Sequence, residues 1–279
     1  MVASDEVVLT RQQLSQYQQQ GYLIVPKLFS AGQVAQIRET FMESAKDGPV
    51  EGLSETHHGN DNLYPSSDPL SRYPRMMNPH AHLELPVGPV ARKYQLDPRI
   101  GGILRQLMQE EPLAVQSMFY FKPPGARGQD LHQDNYYLRV SPGTCMAAWI
   151  AVDDANPENG GMVVVPQTQD MPVACPEKTD ATRFFTTEHV SVPEGKHEMP
   201  AILNAGDVLF FNGSVIHGSY PNTSKDRFRR ALICHYVPES SKELSNWYRL
   251  PTRFNGQIEH IAEATGGGPC GSTNPAGPH

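Results

Sequence analysis

The sequence predicts a mainly β protein, a sandwich or barrel with flanking helices, from three observations. Between residues 113 and 238, short runs of β-branched, aromatic and apolar residues alternate with turns rich in Pro, Gly and Asn. The 25 prolines among 279 residues disfavour a long-helix architecture. Before residue 113, helix-start signals and helical spacing of apolar residues indicate helices instead.

The first 110 residues carry three helix-start signals. Two are Ser/Thr-x-x-Gln capping boxes, whose side chains bond the free amides of a first helical turn, and the third is an Asp-Pro pair. Gly21 is a suitable stop for the first helix, because glycine tolerates the left-handed conformation of a helix end. The predicted elements are a helix over Arg11–Gln20, a strand over Tyr22–Val25, a helix after Ser30 and a helix after Asp97.

Residues 47–80 are polar and turn-rich, and they predict a long loop. An ordered loop of this length is commonly functional, for example a lid over a site. A solvated insertion is the alternative, and the sequence leaves both open. The histidines in this polar stretch and just after it are expected to be solvated: His57, His58, His80 and His82.

Six short strands are predicted in the second half of the chain. They cover Leu113–Phe121, Thr144–Val152, Gly161–Val165, His189–Val192, Val208–Phe211 and Ala231–Val237. The Gly- and Pro-rich segment 265–279 cannot bury a core and is expected to be disordered. The predicted organisation is therefore one domain over residues 1–264, with a helical part at 10–110 and a β core at 113–238.

Composition argues against several classes of protein. The net charge of −7 offers no basic surface for nucleic acid or an anionic membrane. No apolar run is long enough to span a membrane, and the N-terminus lacks the basic and apolar regions of a signal peptide. Cys145, Cys175, Cys234 and Cys270 lie far apart without a CxxC pair. This spacing favours packing thiols, a reducing compartment and a cytoplasmic protein.

The first candidate site is His132-Gln133-Asp134. Residues two apart in a strand project to the same face, so the imidazole and the carboxylate would form two corners of a metal site. A surface pair at a strand end is the alternative. Downstream, a Gly-Asp turn and an apolar strand lead to His217, which would bring a second imidazole to the sheet. Two histidines and one carboxylate leave positions on iron open for a co-substrate and dioxygen.

Three arginines precede the apolar strand predicted at Ala231–Val237. A guanidinium that enters an apolar strand needs an anionic partner, and it can bind a carboxylate through two hydrogen bonds. We expect Arg227 and Arg230 to face water and Arg229 to face inward. Arg229 is therefore the candidate receptor for a carboxylate.

In their order and spacing, these motifs resemble those of the phytanoyl-CoA dioxygenase family. The matching segments are His132-x-Asp134, Gly206–Phe211, His217-Gly218-Ser219 and Phe228–Ala231, with support from Tyr22–Val25, Lys122-Pro123-Pro124 and Trp149. The resemblance spans roughly residues 20–238 and implies a double-stranded β-helix (jelly-roll, cupin-like) core. It also implies an Fe(II)- and 2-oxoglutarate-dependent dioxygenase, which consumes O2.

The resemblance assigns roles residue by residue. It implies that His132, Asp134 and His217 bind iron. Arg229 and the hydroxyl of Ser219 would hold the distal carboxylate of 2-oxoglutarate, and Ser219 shares the face of His217 in an extended chain. The further co-substrate residues that it implies are Trp149, Gln116 and Met118. For a Trp or a Met on a strand, a place in the core is the alternative.

The chain departs from the family pattern in one turn. The family commonly carries a Pro-Gly-Ser-His turn after its Asn-Gly segment, whereas Asn159-Gly160 is followed here by Pro166-Gln167-Thr168-Gln169. This difference concerns the expected substrate-side wall and leaves the iron site intact. Asp134 stands where related halogenases have a small residue that admits chloride. The resemblance therefore implies oxygenation and not halogenation.

The predicted reaction is oxidation, typically hydroxylation, of a C–H bond of a small-molecule metabolite, with release of succinate and CO2. Tyr136, Tyr137 and Arg139 follow the iron motif closely and would line the mouth of the pocket. No concentrated basic patch offers a site for the phosphates of a coenzyme A ester. One alternative is a cupin-like metal enzyme that does not use 2-oxoglutarate, which would leave Ser219 and Arg229 unexplained. The other is a non-catalytic jelly-roll binding module.

Overall fold

Two facing antiparallel β-sheets form the centre of the protein, whose computed structural model describes residues 7–58, 61–248 and 250–265. The helices are α1 (Arg11–Gln20), α2 (Ala31–Ser44), α3 (Val87–Gln95), α4 (Pro98–Met108) and α5 (Asp134–Leu138). The first strands are β1 (Tyr22–Val25), β2 (His57–His58), β3 (Asp61–Asn62), β4 (Met76–Met77), β5 (Pro112–Tyr120), β6 (Gln129–His132), β7 (Met146–Ala151) and β8 (Met162–Val165). The later strands are β9 (Glu177–Lys178), β10 (Glu188–His189), β11 (Met199–Ala201), β12 (Val208–Asn212), β13 (Ile216–Ser219), β14 (Ala231–Pro238), β15 (Glu243–Leu244) and β16 (Ala262–Glu263).

The topology of the two sheets confirms the jelly-roll prediction. The larger sheet has six strands in the order β1-β12-β7-β14-β5-β4, and the smaller has four in the order β11-β8-β13-β6. Neighbouring strands in each sheet are antiparallel although they are far apart in the chain. Long connections that cross between two sheets are the mark of this fold.

Side chains alternate between the space inside the two sheets and the surfaces outside them. On β7, Trp149 packs between the sheets, whereas Ile150 packs against the helical layer. On β8, Val164 lies inside and Val163 lies outside. Helices α1–α4 cover the outer face of the larger sheet with residues such as Tyr17, Ile37, Phe41, Ala91, Ile103 and Leu104. Inward-facing residues of both sheets therefore meet in one layer, which contains the cavity lined by His217, Ser219 and Arg229.

The predicted N-terminal elements are confirmed, and one helix was not predicted. Thr10 caps α1 in a complete capping box, and Gly21 ends it at φ 79°. Ser30 caps α2 in the same way, and Asp97 caps α4. The unpredicted helix is α3, which contains a glycine and a proline and has no side-chain cap. It depends on the burial of its apolar face rather than on local signals.

The six predicted strands are present with shifted boundaries, and three strands of the smaller sheet are not among the six. The prediction at His189–Val192 is the least accurate, since β10 covers Glu188–His189 only. These three strands are β6, β11 and β13. Each has three or four residues, and β6 and β13 carry polar side chains on their inner faces, so an apolar pattern was absent.

The segment 47–80 packs onto the protein. Its edge strand β4 pairs with β5. Its side chains buried in the hydrophobic core are Leu53, Tyr64, Leu70 and Met76. This burial disfavours the interpretation of the segment as a solvated insertion.

The cysteines fall into two groups. Cys145 and Cys234 are buried free thiols, as expected for packing residues, and burial raises the pKa of Cys234 to about 12. Cys175 is exposed and disulfide-bonded, so it is an exception to the expectation that most of the thiols are packing residues. Except for Thr265, the tail predicted to be disordered lies outside the described residues. Among the described helices, none combines the length and the apolar character needed to cross a membrane.

Candidate active site

Three predicted metal ligands come together from two neighbouring strands and a short helix. His132 is the last residue of β6 and pairs directly with His217 on β13. Asp134 is the first residue of α5, so β6 does not continue through it as the sequence predicted. The intervening Gln133 keeps extended backbone angles, with φ −124° and ψ 125°. Asp134 therefore still returns to the side of His132.

The three side chains are buried and close enough for one ion to contact all of them. Their potential ligand atoms lie within 4.8 Å of one another. The carboxylate oxygen Oδ1 of Asp134 is 3.7 Å from Nε2 of His132 and 3.4 Å from Nε2 of His217. Two imidazoles and one carboxylate are a donor set that suits non-haem Fe(II). The sequence predicts these three residues as ligands of one metal ion, and their arrangement in the structure fits that prediction.

Both imidazoles are held with one nitrogen turned to the carboxylate. Nδ1 of His132 lies 2.7 Å from the carbonyl of Asp130, and Nδ1 of His217 lies 2.9 Å from the carbonyl of Val215. A carbonyl only accepts hydrogen bonds, so each Nδ1 carries the proton and each Nε2 presents its lone pair. Burial, followed by the neighbouring His217, lowers the pKa of His132 to about 3. The neutral imidazole that a metal requires is therefore favoured.

His235 on β14 supports the carboxylate from the opposite sheet. Its Nε2 lies 3.0 Å from Oδ2 of Asp134, the oxygen not shared with the two histidines. Both residues are buried. Residues that hydrogen-bond a metal ligand orient it and tune its affinity. No local pattern in the sequence indicates this contact of His235, although the residue lies on the inner face of a predicted strand.

Arg229 is buried and faces the same cavity as the three ligands. Its Nε donates a 2.9 Å hydrogen bond to the carbonyl of Gly160, and its guanidinium lies 5.2 Å from the centre of the Trp149 ring. Burial lowers its pKa to about 10, which leaves it charged at neutral pH. No carboxylate among the described residues pairs with it, whereas Arg227 and Arg230 pair with Glu158 and Asp153. A buried cation of this kind is suited to an anionic ligand.

Ser219 lies two residues after His217 on β13, and both face the interior. Its hydroxyl oxygen accepts hydrogen bonds from the main-chain N–H of Gln129, at 3.3 Å, and from Nζ of Lys122, at 2.7 Å. Lys122 is itself buried. The sequence marked Lys122 only as part of a motif, and nothing in a single sequence indicates which hydroxyl a lysine reaches.

The further co-substrate candidates separate into two groups. Trp149 and Met118 line the cavity together with the ligands and Arg229. Gln116 is fully buried on β5, opposite His235, and is not part of the cavity lining. Tyr120 and Gln129 line the cavity and were not predicted. Their signal was weak because tyrosine and glutamine are common on strands for other reasons.

The candidate substrate residues lie on and just after α5, which Asp134 begins. The ring of Tyr137 is buried, 6.3 Å from the ring of His132 and at a steep angle to it. Tyr136 is half-buried and its ring packs edge-on against that of Tyr137. Arg139 ends the helix at φ 52° and is half-buried. None of the three lines the metal-site cavity itself.

A hydrogen-bonded chain connects the segment 47–80 to the cavity wall. Arg75 is buried and pairs with Glu55 of the same segment. It also donates a 2.7 Å hydrogen bond to the hydroxyl of Tyr120, which donates to Oε1 of Gln129 at 3.2 Å. The side-chain amide nitrogen Nε2 of Gln129 lies 3.3 Å from Nε2 of His132. The segment is thus tied to the residues around the ligands.

Comparison with known proteins gives one family match. The family model described as phytanoyl-CoA dioxygenase (PhyH) matches residues 17–231. The chain is 26% identical to phytanoyl-CoA dioxygenase 1 of Oryza sativa subsp. japonica, over 86% of this chain and 93% of that protein. It is 25% identical to phytanoyl-CoA dioxygenase domain-containing protein 1 of Danio rerio, over 86% of this chain and 94% of that protein.

Solved structures share the fold. One is the non-haem α-ketoglutarate-dependent carbocyclase SnoK from nogalamycin biosynthesis, with a TM-score of 0.61 and 23% identity. The match covers 84% of this chain and 86% of SnoK. Another is HygX from Streptomyces hygroscopicus, crystallised with nickel and 2-oxoglutarate, with a TM-score of 0.59 and 17% identity over 92% of this chain and 98% of HygX. At these identities the likeness establishes the jelly-roll fold.

Proposed function

Because the chain belongs to the phytanoyl-CoA dioxygenase family, we propose that it is an Fe(II)- and 2-oxoglutarate-dependent dioxygenase that oxidises a C–H bond of a small-molecule metabolite. Hydroxylation is the simplest such reaction. The observation that carries the proposal is one cavity lined both by His132, Asp134 and His217 and by Arg229 and Ser219. A metal enzyme without 2-oxoglutarate would need the first group of residues and not the second.

His132, Asp134 and His217 would hold Fe(II). The donor set fits the ion, since the two Nε2 atoms and the Asp134 carboxylate converge while both Nδ1 atoms bond carbonyls. Fe(II) held by these residues would, together with 2-oxoglutarate, supply the activation of O2 for oxidation of the substrate, with release of succinate and CO2. His235 keeps Asp134 in place through its contact with Oδ2.

Arg229 and Ser219 would bind the distal carboxylate of the co-substrate. The guanidinium offers parallel N–H donors, and the hydroxyl offers one more. Trp149 and Met118 supply apolar walls beside them. Such walls exclude water, which strengthens each of these charge-assisted hydrogen bonds.

The substrate would approach from the side of α5. Tyr136, Tyr137 and Arg139 are the residues proposed to contact it, and the support is the position of the Tyr137 ring beside that of His132. The test is substrate-dependent release of succinate across a panel of small metabolites. Tyr137→Ala should raise KM for the responsive substrate and leave 2-oxoglutarate affinity unchanged. A loss of 2-oxoglutarate affinity instead would contradict the assignment.

The main experiment is an anaerobic titration of the purified apoprotein with Fe(II) and then 2-oxoglutarate. We expect a visible charge-transfer band that requires both additions and is absent in His132→Ala. His197→Ala is the matched control, because His197 is exposed. Tight metal binding without the band would favour the cupin-like alternative. Absence of metal binding would favour a non-catalytic module.

A further inference from the structure

Lys122 is buried beside the proposed co-substrate site, with a relative exposure of 1%. It follows β5, and its backbone adopts a left-handed φ of 39°. Its carbonyl accepts hydrogen bonds from the side-chain amide of Asn222, at 3.0 Å, and from the main-chain N–H of Arg229, at 3.1 Å. The main chain at Lys122 is therefore tied to the main chain at Arg229.

The ammonium group of Lys122 meets three acceptors. Nζ lies 2.6 Å from the carbonyl of Tyr220, 2.7 Å from the hydroxyl of Ser219 and 3.3 Å from the carbonyl of Gly160. An ammonium has three N–H groups and no acceptor, so these partners use all of its donors. Lys122 therefore acts on the cavity through Ser219 and does not itself bind a ligand there.

The hydroxyl of Ser219 then has one direction left for its proton. A hydroxyl has two acceptor lone pairs and one O–H. Lys122 and the N–H of Gln129 occupy both acceptor positions. Ser219 lines the cavity shared with Arg229, so the O–H has to donate into that cavity.

We propose that Lys122 is a positioning residue that orients the Ser219 hydroxyl as a donor to the distal carboxylate of 2-oxoglutarate. The inference rests on the proposed function. Lys122 would contact neither the metal nor 2-oxoglutarate. By donating to the Ser219 hydroxyl, it would determine that this hydroxyl donates its own proton to the ligand in the cavity.

The charges around the site favour an anion in the cavity. Burial lowers the pKa of Lys122 well below its usual value, and the charge of Arg229 lowers it further. Both cations reach the same acceptor, since the Gly160 carbonyl takes hydrogen bonds from Lys122 and Arg229. A carboxylate placed against Arg229 and Ser219 offsets the repulsion between the positive charges of Lys122 and Arg229.

The test compares 2-oxoglutarate with 2-oxopentanoate, which has the same chain length but lacks the distal carboxylate. Affinities are measured from the charge-transfer band under anaerobic conditions with Fe(II). We expect Lys122→Met to lower the affinity for 2-oxoglutarate roughly tenfold or more, as for a lost charge-assisted hydrogen bond, and to leave 2-oxopentanoate unchanged. A merely structural role would weaken both acids together.

Two further variants keep the test decisive. Lys122→Gln serves if Lys122→Met does not fold, and Lys93→Met is the surface control, since Lys93 is exposed and bonds Gln36. Ser219→Ala should lose the same preference for 2-oxoglutarate, and adding Lys122→Met to it should cost little more. Two results would overturn the inference about Lys122 and leave the proposed function standing. One is a folded Lys122 variant that keeps the wild-type preference for 2-oxoglutarate over 2-oxopentanoate. The other is a double variant whose loss of 2-oxoglutarate affinity is the sum of the losses in the two single variants. A wild-type protein without preference between the two acids would overturn the distal-carboxylate site and the inference together.

Discussion

Arg229 and Arg230 are neighbours in the chain and meet opposite environments. Arg230 makes a two-pronged ion pair with Asp153, with N–O distances of 2.7 and 2.9 Å. Arg229 is buried against Trp149 and Gly160, with no described carboxylate beside it. The unequal partners explain why only Arg229 is a candidate receptor for an anionic ligand.

Arg229→Met should weaken 2-oxoglutarate binding on the order of 10- to 100-fold, because each charge-assisted hydrogen bond contributes about 1.5–3 kcal/mol. The measurement is the Kd for 2-oxoglutarate of the Fe(II)-loaded protein. Arg230→Met is the control, since its partner is Asp153. Its Kd should stay at the wild-type value. Equal affinities in wild type and Arg229→Met would refute the role of Arg229.

His235→Ala should lower Fe(II) affinity roughly 10- to 100-fold, since groups that orient a metal ligand typically contribute that much. The reason is the lost contact between His235 and Oδ2 of Asp134. Competition with a chelator measures the affinity. Cys234→Ala is the matched control, because Cys234 points to the helical layer on the other side of β14. Similar affinities in both variants would mean that Asp134 does not need His235.

At the scale of elements, strand alternation and two irregularities place the site. On β13, His217 and Ser219 share the inner face while Ile216 packs outside. The pairing of β13 with β6 shifts register between His217 and Ser219. The pairing of β14 with β5 shifts just after His235. Bulges re-aim side chains and are common beside active sites.

The connection from β7 to β8 depends on Gly160, which has φ 83°. A Cβ there would lie 2.6 Å from Cδ of Lys122 and 2.9 Å from the carbonyl oxygen of Tyr220. Gly160→Ala should therefore lower Tm and reduce the preference for 2-oxoglutarate over 2-oxopentanoate.

Gly195→Ala is the matched control for Gly160→Ala. Gly195 has φ 75°, but nothing lies within 4 Å of an added Cβ. Both variants carry the cost of a left-handed alanine, about 1–2 kcal/mol. Only Gly160→Ala adds the clash, so thermal unfolding should show a further loss for it. Equal Tm values would show that the Lys122 side chain and the Tyr220 carbonyl both move aside without measurable cost.

At the scale of the whole molecule, β5 and β14 are covered on the outside by helices and on the inside by the site. Ser117 on β5 bonds His80 of the segment 47–80, with Nδ1 2.7 Å from Oγ. His80 was expected to be solvated, and it is instead half-buried against this strand. Burial, followed by Arg92, lowers its pKa from 6.5 to about 4.

The shift at His80 predicts acid-dependent stability. Between pH 6.5 and about 4 the unfolded chain binds a proton at His80 and the folded chain does not. The stabilisation is therefore complete above pH 6.5 and is lost as pH falls through this window, by up to about 3 kcal/mol. His80→Gln should flatten the dependence of unfolding free energy on pH, measured by urea unfolding. Since His132 has a lowered pKa as well, only the difference between variant and wild type tests His80.

The sequence alone determined the local structure and supplied the residue types of the candidate site. Helix caps at Thr10, Ser30 and Asp97 act within three residues, so a single sequence contains them. The identity of the ligands and of Arg229 depended on residue types at family spacing. The family and the jelly-roll fold that this spacing implied are confirmed.

Only the tertiary structure decided which side chains support those residues. Lys122 reaches Ser219 across 97 residues, and His235 reaches Asp134 across 101. Strand alternation tells which face a residue takes only after the register and the bulges are known. Helix α3 was not predicted for a similar reason, because its stability comes from the burial of one face against the rest of the protein and not from local signals. Contacts that close long loops are set by the packing of both sheets, which no local pattern encodes.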